Sequence, residues 1–248
     1  MQAIILAAGL GNRLGALGAQ PKALLEFGGE SLIHRHLRIL AAHAVTQITL
    51  CVGYRAEDLI SAVTTYGVSN VRTVHNTEFR RGSVVSLWTV RAALTTGEDV
   101  ILMDADVLYD PAIMTRLIGS THRNCFLLDR DFVPGDEPVK LCLRAGKIVE
   151  FRKQLDPGIA YDCCGESVGF FKFDRLGATE LAAQCERYVA RDLLDAPYEE
   201  ALRDLIMTGD VPLGVEDISG LPWLEIDFPE DIERARHEIL PRLQNGRC

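Results

Sequence analysis

The chain has 248 residues, 48% of them hydrophobic and 25% charged, with a formal net charge of −9 at pH 7. Those proportions fit one large α/β domain, and the acidic balance without a Lys/Arg run excludes a general nucleic-acid binder, which needs a basic face to release counterions. No apolar run nears the roughly 20 residues of a membrane span, so no membrane insertion is expected.

Met1 to Leu10 lacks the basic flank of a secretory signal. The seven cysteines, Cys51, Cys125, Cys142, Cys163, Cys164, Cys185 and Cys248, show no C-x-x-C spacing. They read as reduced thiols of a cytoplasmic protein, and the adjacent Cys163 and Cys164 are poorly placed for a disulfide or a zinc site.

In chain order, strand alternates with helix. A buried strand is predicted over Ala3 to Leu6, then a glycine-rich loop up to Pro21. Ser31 caps a helix to about His43, a second strand covers Gln47 to Val52, and a helix covers Glu57 to Tyr66. A short strand follows at Val71 to His75, and Ser83 is expected to cap a helix running to Leu94. Asp99 to Met103 is another buried strand, and Asp110-Pro111 opens a helix. The second half reads differently. Cys125 to Leu128, Val139 to Leu143, Lys147 to Phe151 and Ser167 to Phe173 are strand-like, separated by turns such as Pro134-Gly135 and Ala145-Gly146. Helices fit Ala178 to Ala190 and Tyr198 to Met207, a last strand fits Trp223 to Ile226, and a closing helix begins near Pro229. The expected fold is α/β: a Rossmann-like, mostly parallel sheet flanked by helices, with antiparallel strand additions in the second half. No repeat or linker divides the chain, so a single domain over residues 1–248 is expected.

Leu6-Ala7-Ala8-Gly9-Leu10-Gly11-Asn12-Arg13-Leu14, followed by Pro21-Lys22, carries the strongest chemical signal. A buried strand delivers this loop to the sheet edge where α/β proteins bind ligands. Gly9 and Gly11 permit sharp turning and close approach, and successive N–H groups can form an anion nest. Arg13 offers a fixed fork of donors and Lys22 a compact point charge. A P-loop would end in Lys-Ser/Thr, and a dinucleotide fingerprint would have glycine where Leu14 stands; neither fits.

Asp104-Ala105-Asp106 ends an apolar strand, with both carboxylates on one side of an extended chain. Alone, the pair also fits a polar strand end that caps the next turn. Hard oxygen donors at a sheet edge suit Mg²⁺. A second acidic run lies at Glu225-Ile226-Asp227-Phe228-Pro229-Glu230-Asp231. Histidines at 34 and 36 are two apart in a helix and cannot share one face.

Together, LAAGLGNRLG, PKALLEFGG, the D-A-D strand end and the late acidic run resemble the nucleotidyltransferase family that activates sugar phosphates and phospho-alcohols, which has the nucleotide-diphospho-sugar transferase type of fold. Asn12 stands where that family has Ser or Thr. The resemblance implies a nucleotide-binding half at about 1–120 and an acceptor-binding half at about 121–248. It implies that Leu6, Ala7, Ala8, Gly9, Gly11 and Asn12 bind the nucleotide. Arg13 and Lys22 bind its phosphates and act in catalysis. Asp106 and Asp227 hold Mg²⁺, with Asp104 and Glu225 as supports. His75 to Leu87 is similar to the phosphocholine cytidylyltransferase branch, which sets Asn76, Gly82 and Ser83 near the base or ribose and makes CTP the expected nucleotide.

The acceptor is expected to be a small phosphorylated or phosphonate compound. A phosphomonoester is already largely dianionic at neutral pH and needs little general-base help. Lys140, Asp131 and Glu166 are the candidates to meet it. Aromatic caging of a quaternary ammonium could draw on Trp88, Phe132, Tyr161 and Trp223, whereas a primary ammonium could use Asp129, Asp131, Asp136, Asp162 and Glu166. Two alternatives stand beside this reading: a sugar-1-phosphate uridylyl- or thymidylyltransferase, and a non-catalytic nucleotide-binding regulator. The sequence leaves a homodimer open.

Overall fold

Strand alternation builds the core. Along Gln2–Ala7 (β1), Ile4 packs on one face of the sheet while Ala3 and Ile5 pack on the other. The same two-residue period divides Leu102 from Ile101 and Met103, and Phe171 from Phe170. Strands buried on both faces need cover on both faces, and helices supply it.

The computed structural model describes residues 1–68 and 70–245; Cys248 lies outside them. After β1 the glycine-rich segment winds into 3₁₀ turns at Asn12–Ala19 and Lys22–Leu24, where a plain loop was expected. A small hairpin, Glu26–Phe27 (β2) and Glu30–Ser31 (β3), leads into Leu32–Ala42 (α1). Gln47–Val52 (β4), Ala56–Thr65 (α2) and Val71–His75 (β5) follow. The helix expected over 83–94 is two, Ser83–Thr89 (α3) and Arg91–Leu94 (α4). The Thr89 hydroxyl donates back to the Val85 carbonyl at 2.7 Å, and such back-bonding, next to the β-branched Val90, bends a helix.

Val100–Asp104 (β6) is followed by a short strand not expected from the sequence, Val107–Tyr109 (β7), and by Pro111–Gly119 (α5). Cys125–Leu128 (β8), Lys140–Arg144 (β9) and Lys147–Arg152 (β10) come next. The strand expected over 167–173 begins only at Phe170–Phe173 (β12), and Cys163–Glu166 (β11) is a separate strand before it. Gly169 divides them: its φ of +78° is left-handed, and the space of its missing side chain is filled by the Asp104 carboxylate. Arg175–Ala190 (α6), Tyr198–Thr208 (α7), Gly214–Asp217 (β13), Trp223–Glu225 (β14) and Pro229–Arg234 (α8) follow, with a π-turn and Leu240–Asn245 (α9) after them.

The main sheet has seven strands in the order β13-β8-β12-β6-β1-β4-β5. All neighbours are parallel except β12, which runs antiparallel to both β6 and β8. A three-stranded antiparallel sheet, β10-β9-β11, stands beside it. Among the described residues no helix is long and apolar enough to cross a membrane.

Candidate active site

The eight residues from Leu6 to Arg13 line a cleft of ≈ 430 Å³ at the carboxyl end of β1. Gly11 shapes its rim. Its φ of +63° is left-handed, and a side chain there would press on the Lys22 stem at 3.3 Å. Lys22, Ser83, Asp104, Asp106 and Asp227 share this loop cleft.

Two nucleotide-binding candidates do not line it. Asn76 is buried; it donates to the Ser86 hydroxyl at 3.0 Å and accepts from the Glu78 N–H at 2.9 Å. Ser86 itself faces the cleft, so Asn76 stands one residue behind it. Gly82 lets α3 approach the Asp195-Ala196 backbone, which a side chain would strike. Gly82 is also the residue that caps α3. Ser83, expected as the cap, is the first helical residue, and its hydroxyl accepts from the Tyr198 N–H at 2.8 Å.

The acidic group is assembled by a ladder that joins the middle of the chain to its late part. β14 pairs antiparallel with β7, Glu225 opposite Val107, and the Ile226 N–H donates to the Asp106 carbonyl at 2.9 Å. Asp231 accepts from the N–H groups of Asp227 and Phe228 at 3.0 and 2.8 Å and fixes the turn. Asp106, Glu225 and Asp227 thereby offer one oxygen each within 4.8 Å of one another. Three carboxylates at that spacing are a hard-donor set suited to Mg²⁺. Lys22 donates to Asp106 at 2.9 Å and to Asp227 at 2.6 Å. Those two charges outweigh burial and raise its pKa, so the ammonium stays charged. Arg13 pairs with Asp227 at 3.2 Å and with Glu137 at 2.7 Å, its guanidinium 5.1 Å from the Phe228 ring centroid.

Asp104 is held apart from that group. It accepts from the Tyr198 hydroxyl at 2.6 Å; burial, then Asp106, pushes its carboxyl well above the usual range. From below, His36 meets the Ala105 carbonyl at 3.0 Å. Burial lowers His36 to about 4, so the imidazole is neutral near pH 7 and its Nε2–H donates to that carbonyl. Tyr198, Glu199 and Lys153 also face the loop cleft. No local motif marks them, because α7 and the residue after β10 reach the site only through tertiary packing.

A second cleft of ≈ 400 Å³ lies on the other side of Glu225 and Asp227, which line both. Asp131 and Glu166 line it, with Asp129, Phe132 and Trp223. Trp223 donates its indole N–H to Asp129 at 2.7 Å. Burial, then the Asp129 charge, raises Glu166 to about 7. Lys140 does not line this acidic cleft. Its ammonium donates to the carbonyls of Gly135, Pro138 and Lys153 and ties the β9 entrance together. Trp88 lies elsewhere, bonded to Glu186 at 2.7 Å, and Asp162 accepts from the Ala145 N–H in a turn. Tyr161 and Asp136 also fall outside the lining.

Residues 3–150 match the MobA-like NTP transferase domain. The chain belongs to that family. Relatives of this MobA-like chain carry names of the same kind. It is 29% identical over 249 residues to a bifunctional IPC transferase and DIPP synthase of Rubrobacter xylanophilus, covering 98% of this chain and 53% of that protein. It is 28% identical over 257 residues to a CMP-5'-(3-aminopropyl)phosphonate synthase of Streptomyces rubellomurinus, covering 100% of this chain and 40% of that protein. The chain thus spans about half the length of these curated relatives. A CTP:phosphoglutamine cytidylyltransferase of Campylobacter jejuni is 24% identical over 257 residues, with 94% of this chain and 98% of that one covered. Two solved structures share the fold at 22% identity. They are CTP:phosphocholine cytidylyltransferase from Streptococcus pneumoniae (TM-score 0.73; 94% of this chain and 96% of that one) and the inositol-1-phosphate CTP transferase from T. maritima (TM-score 0.78; 99% and 96%). The nucleotide-diphospho-sugar transferase type of fold is the one expected from the sequence.

Proposed function

We propose that this MobA-like protein is a Mg²⁺-dependent cytidylyltransferase that moves CMP from CTP onto a small, ammonium-bearing phosphorylated or phosphonate acceptor and releases pyrophosphate. One observation carries the reading. The carboxylates Glu225 and Asp227 form the shared wall between a cleft built from a glycine loop with Arg13 and Lys22 and a second, acid-rich cleft. A transfer enzyme needs donor and acceptor on opposite sides of one charge-neutralising centre. CTP is favoured over other nucleotides because several relatives have CTP or CMP in their names.

Asp106, Glu225 and Asp227 would hold Mg²⁺, which when bound supplies charge stabilisation to phosphoryl oxygens. The chain's own part is positioning. Arg13 at the loop mouth binds the departing phosphates, and Lys22, held on Asp106 and Asp227, keeps a positive charge beside the site of transfer. The acceptor phosphate or phosphonate attacks as an anion already formed in water, so no general base is required. Asp129, Asp131 and Glu166 attract the ammonium end of the acceptor, while Trp223 and Phe132 provide apolar walls.

The test is pyrophosphate release with CTP, UTP, GTP, ATP and dTTP. Each nucleotide is offered with Mg²⁺ and one acceptor at a time: phosphocholine, 2-aminoethylphosphonate, inositol phosphate, glycerol phosphate or a sugar 1-phosphate. The expected result is CTP-dependent release with an ammonium-bearing acceptor. Preference for UTP or dTTP with a sugar 1-phosphate would replace this reading by the uridylyl- or thymidylyltransferase one. Tight nucleotide binding without turnover on any acceptor would support the regulatory one.

A further inference from the structure

Cys142 and Cys164 are 22 residues apart in sequence, yet their Sγ atoms lie 2.8 Å from each other, closer than unbonded sulfurs pack. The contact follows from strand register. β9 and β11 are antiparallel, and Cys164 stands directly opposite Cys142. The Ser167 N–H donates to the Val139 carbonyl just beyond the strand ends, three positions along from the cysteine pair. Hydrogen-bonded and non-hydrogen-bonded pairs alternate along an antiparallel ladder, so Cys142 and Cys164 form a non-hydrogen-bonded pair. Such pairs bring Cα atoms to about 4.5 Å and side chains closest together, inside the separation that a disulfide spans.

The two thiols are not equivalent. β11 is the edge strand of its sheet and Cys164 is half-buried, within reach of a small reagent. Cys142 lies on the central strand and is buried, with Glu150 as its neighbour on β10. The Cys142 thiol, and more weakly Lys140, lower the pKa of Cys164, whereas Cys142 is shifted upward. Cys163 is on the opposite face of β11, where it packs against the main apolar core.

We propose that Cys142 and Cys164 are a built oxidation site: a dithiol that small-molecule disulfides convert into a cross-strand disulfide within the folded protein. The Cys164 thiolate attacks one sulfur of a low-molecular-weight disulfide, forming a mixed disulfide and releasing one thiolate. Cys142 then loses its proton and attacks the Cys164 sulfur, expelling the second thiol. One small disulfide is reduced to two thiols and the protein loses two hydrogen atoms. In a reducing compartment the pair stays as thiols and cross-links only under oxidative challenge. The new bond would close the 142–164 loop on the face of β11 that also carries Glu166, two residues on, at the wall of the acidic cleft.

The experiment uses the folded full chain, oxidised glutathione as the probe and dithiothreitol as the reference. Samples are quenched in acid, alkylated and mapped by peptide mass spectrometry, alongside Cys142→Ser, Cys163→Ser and Cys164→Ser variants. Expected are a mass lower by two hydrogens, a linked peptide pair joining Cys142 to Cys164, and a Tm higher by about 5–10 °C than the reduced form. Cys163→Ser should behave like the parent, and Cys142→Ser should stop at a glutathione adduct on Cys164. The proposal is overturned if Cys142 and Cys164 stay alkylatable in excess oxidised glutathione, or if the cross-link survives Cys164→Ser by using Cys163.

Discussion

The two clefts that meet at Glu225 and Asp227 are built in opposite ways. The loop cleft takes eight consecutive residues, Leu6 to Arg13, from one strand end and its turn, and its five cations face five acids. The acidic cleft collects short pieces from separate loops, β11, β14 and the late helices, and eight acids face only Arg234 and Arg242. A triphosphate needs backbone donors and a few fixed cations, which one short segment can supply. A small acceptor is selected by shape and charge at several points, which requires residues from many segments. On this view the nucleotide side is constrained by local backbone and the acceptor side by side-chain choice.

Substitutions can break that contrast, beginning at the carboxylate group that Asp106 forms with the two wall residues. Asp106→Asn should lower kcat/KM for pyrophosphate release by about 10³-fold or more, whichever acceptor is used, since it acts on transfer itself. On the acidic side alone, Trp223→Leu and Asp129→Asn should each raise the acceptor KM by about tenfold and leave the CTP KM unchanged. A parallel rise in both constants would mean that the clefts are not separate. Glu166 provides a pH test of moderate size. Its carboxyl is raised to about 7, so it is increasingly neutral below that pH and attracts a cation less. For an ammonium-bearing acceptor, kcat/KM should fall about three- to tenfold as pH drops through 7, and Glu166→Gln should make that slope shallower, leaving the fall due to the acceptor's own second protonation. The same raised value means that folding stability is lost as pH climbs from 4.5 towards 7, a decline that Glu166→Gln removes from the thermal-melt profile. The smallest effect concerns Glu137, whose carboxylate pairs with Arg13 at 2.7 Å and Lys153 at 3.2 Å. Both cations face the loop cleft, so Glu137→Gln frees them for phosphate and should lower the CTP KM. Exposed pairs are worth about 0–1 kcal/mol, which limits the change to less than about fivefold.

The same contrast explains what could be read in advance. Gly9, Gly11, Arg13 and Lys22 were legible because their spacing is the chemistry: a strand, a turn and two cations within one short run. Asp106 and Asp227 were legible as acids at the ends of apolar segments, but Glu225's place beside them depends on the β7–β14 ladder, which two three-residue strands do not announce. Tyr198 and Glu199 reach the site from a helix start that looks ordinary in sequence. Lys140 is the opposite case. On an alternating strand it was a candidate to meet the acceptor, but three carbonyls of its own neighbourhood accept from the ammonium. The pairing of Cys142 with Cys164 was hidden because it depends on the register of β9 against β11, across 22 residues of sequence.

The ion pair between Lys22 and Asp227 closes a separation of 205 residues. Local helices and hairpins can form without it, but that contact requires β1, the β7–β14 ladder and the turn before α8 to be in place together. Loop closure over such a distance is among the slower demands on a chain. Regained turnover on refolding is therefore a clock for the completion of the whole fold, whereas a far-ultraviolet signal can recover on secondary structure alone.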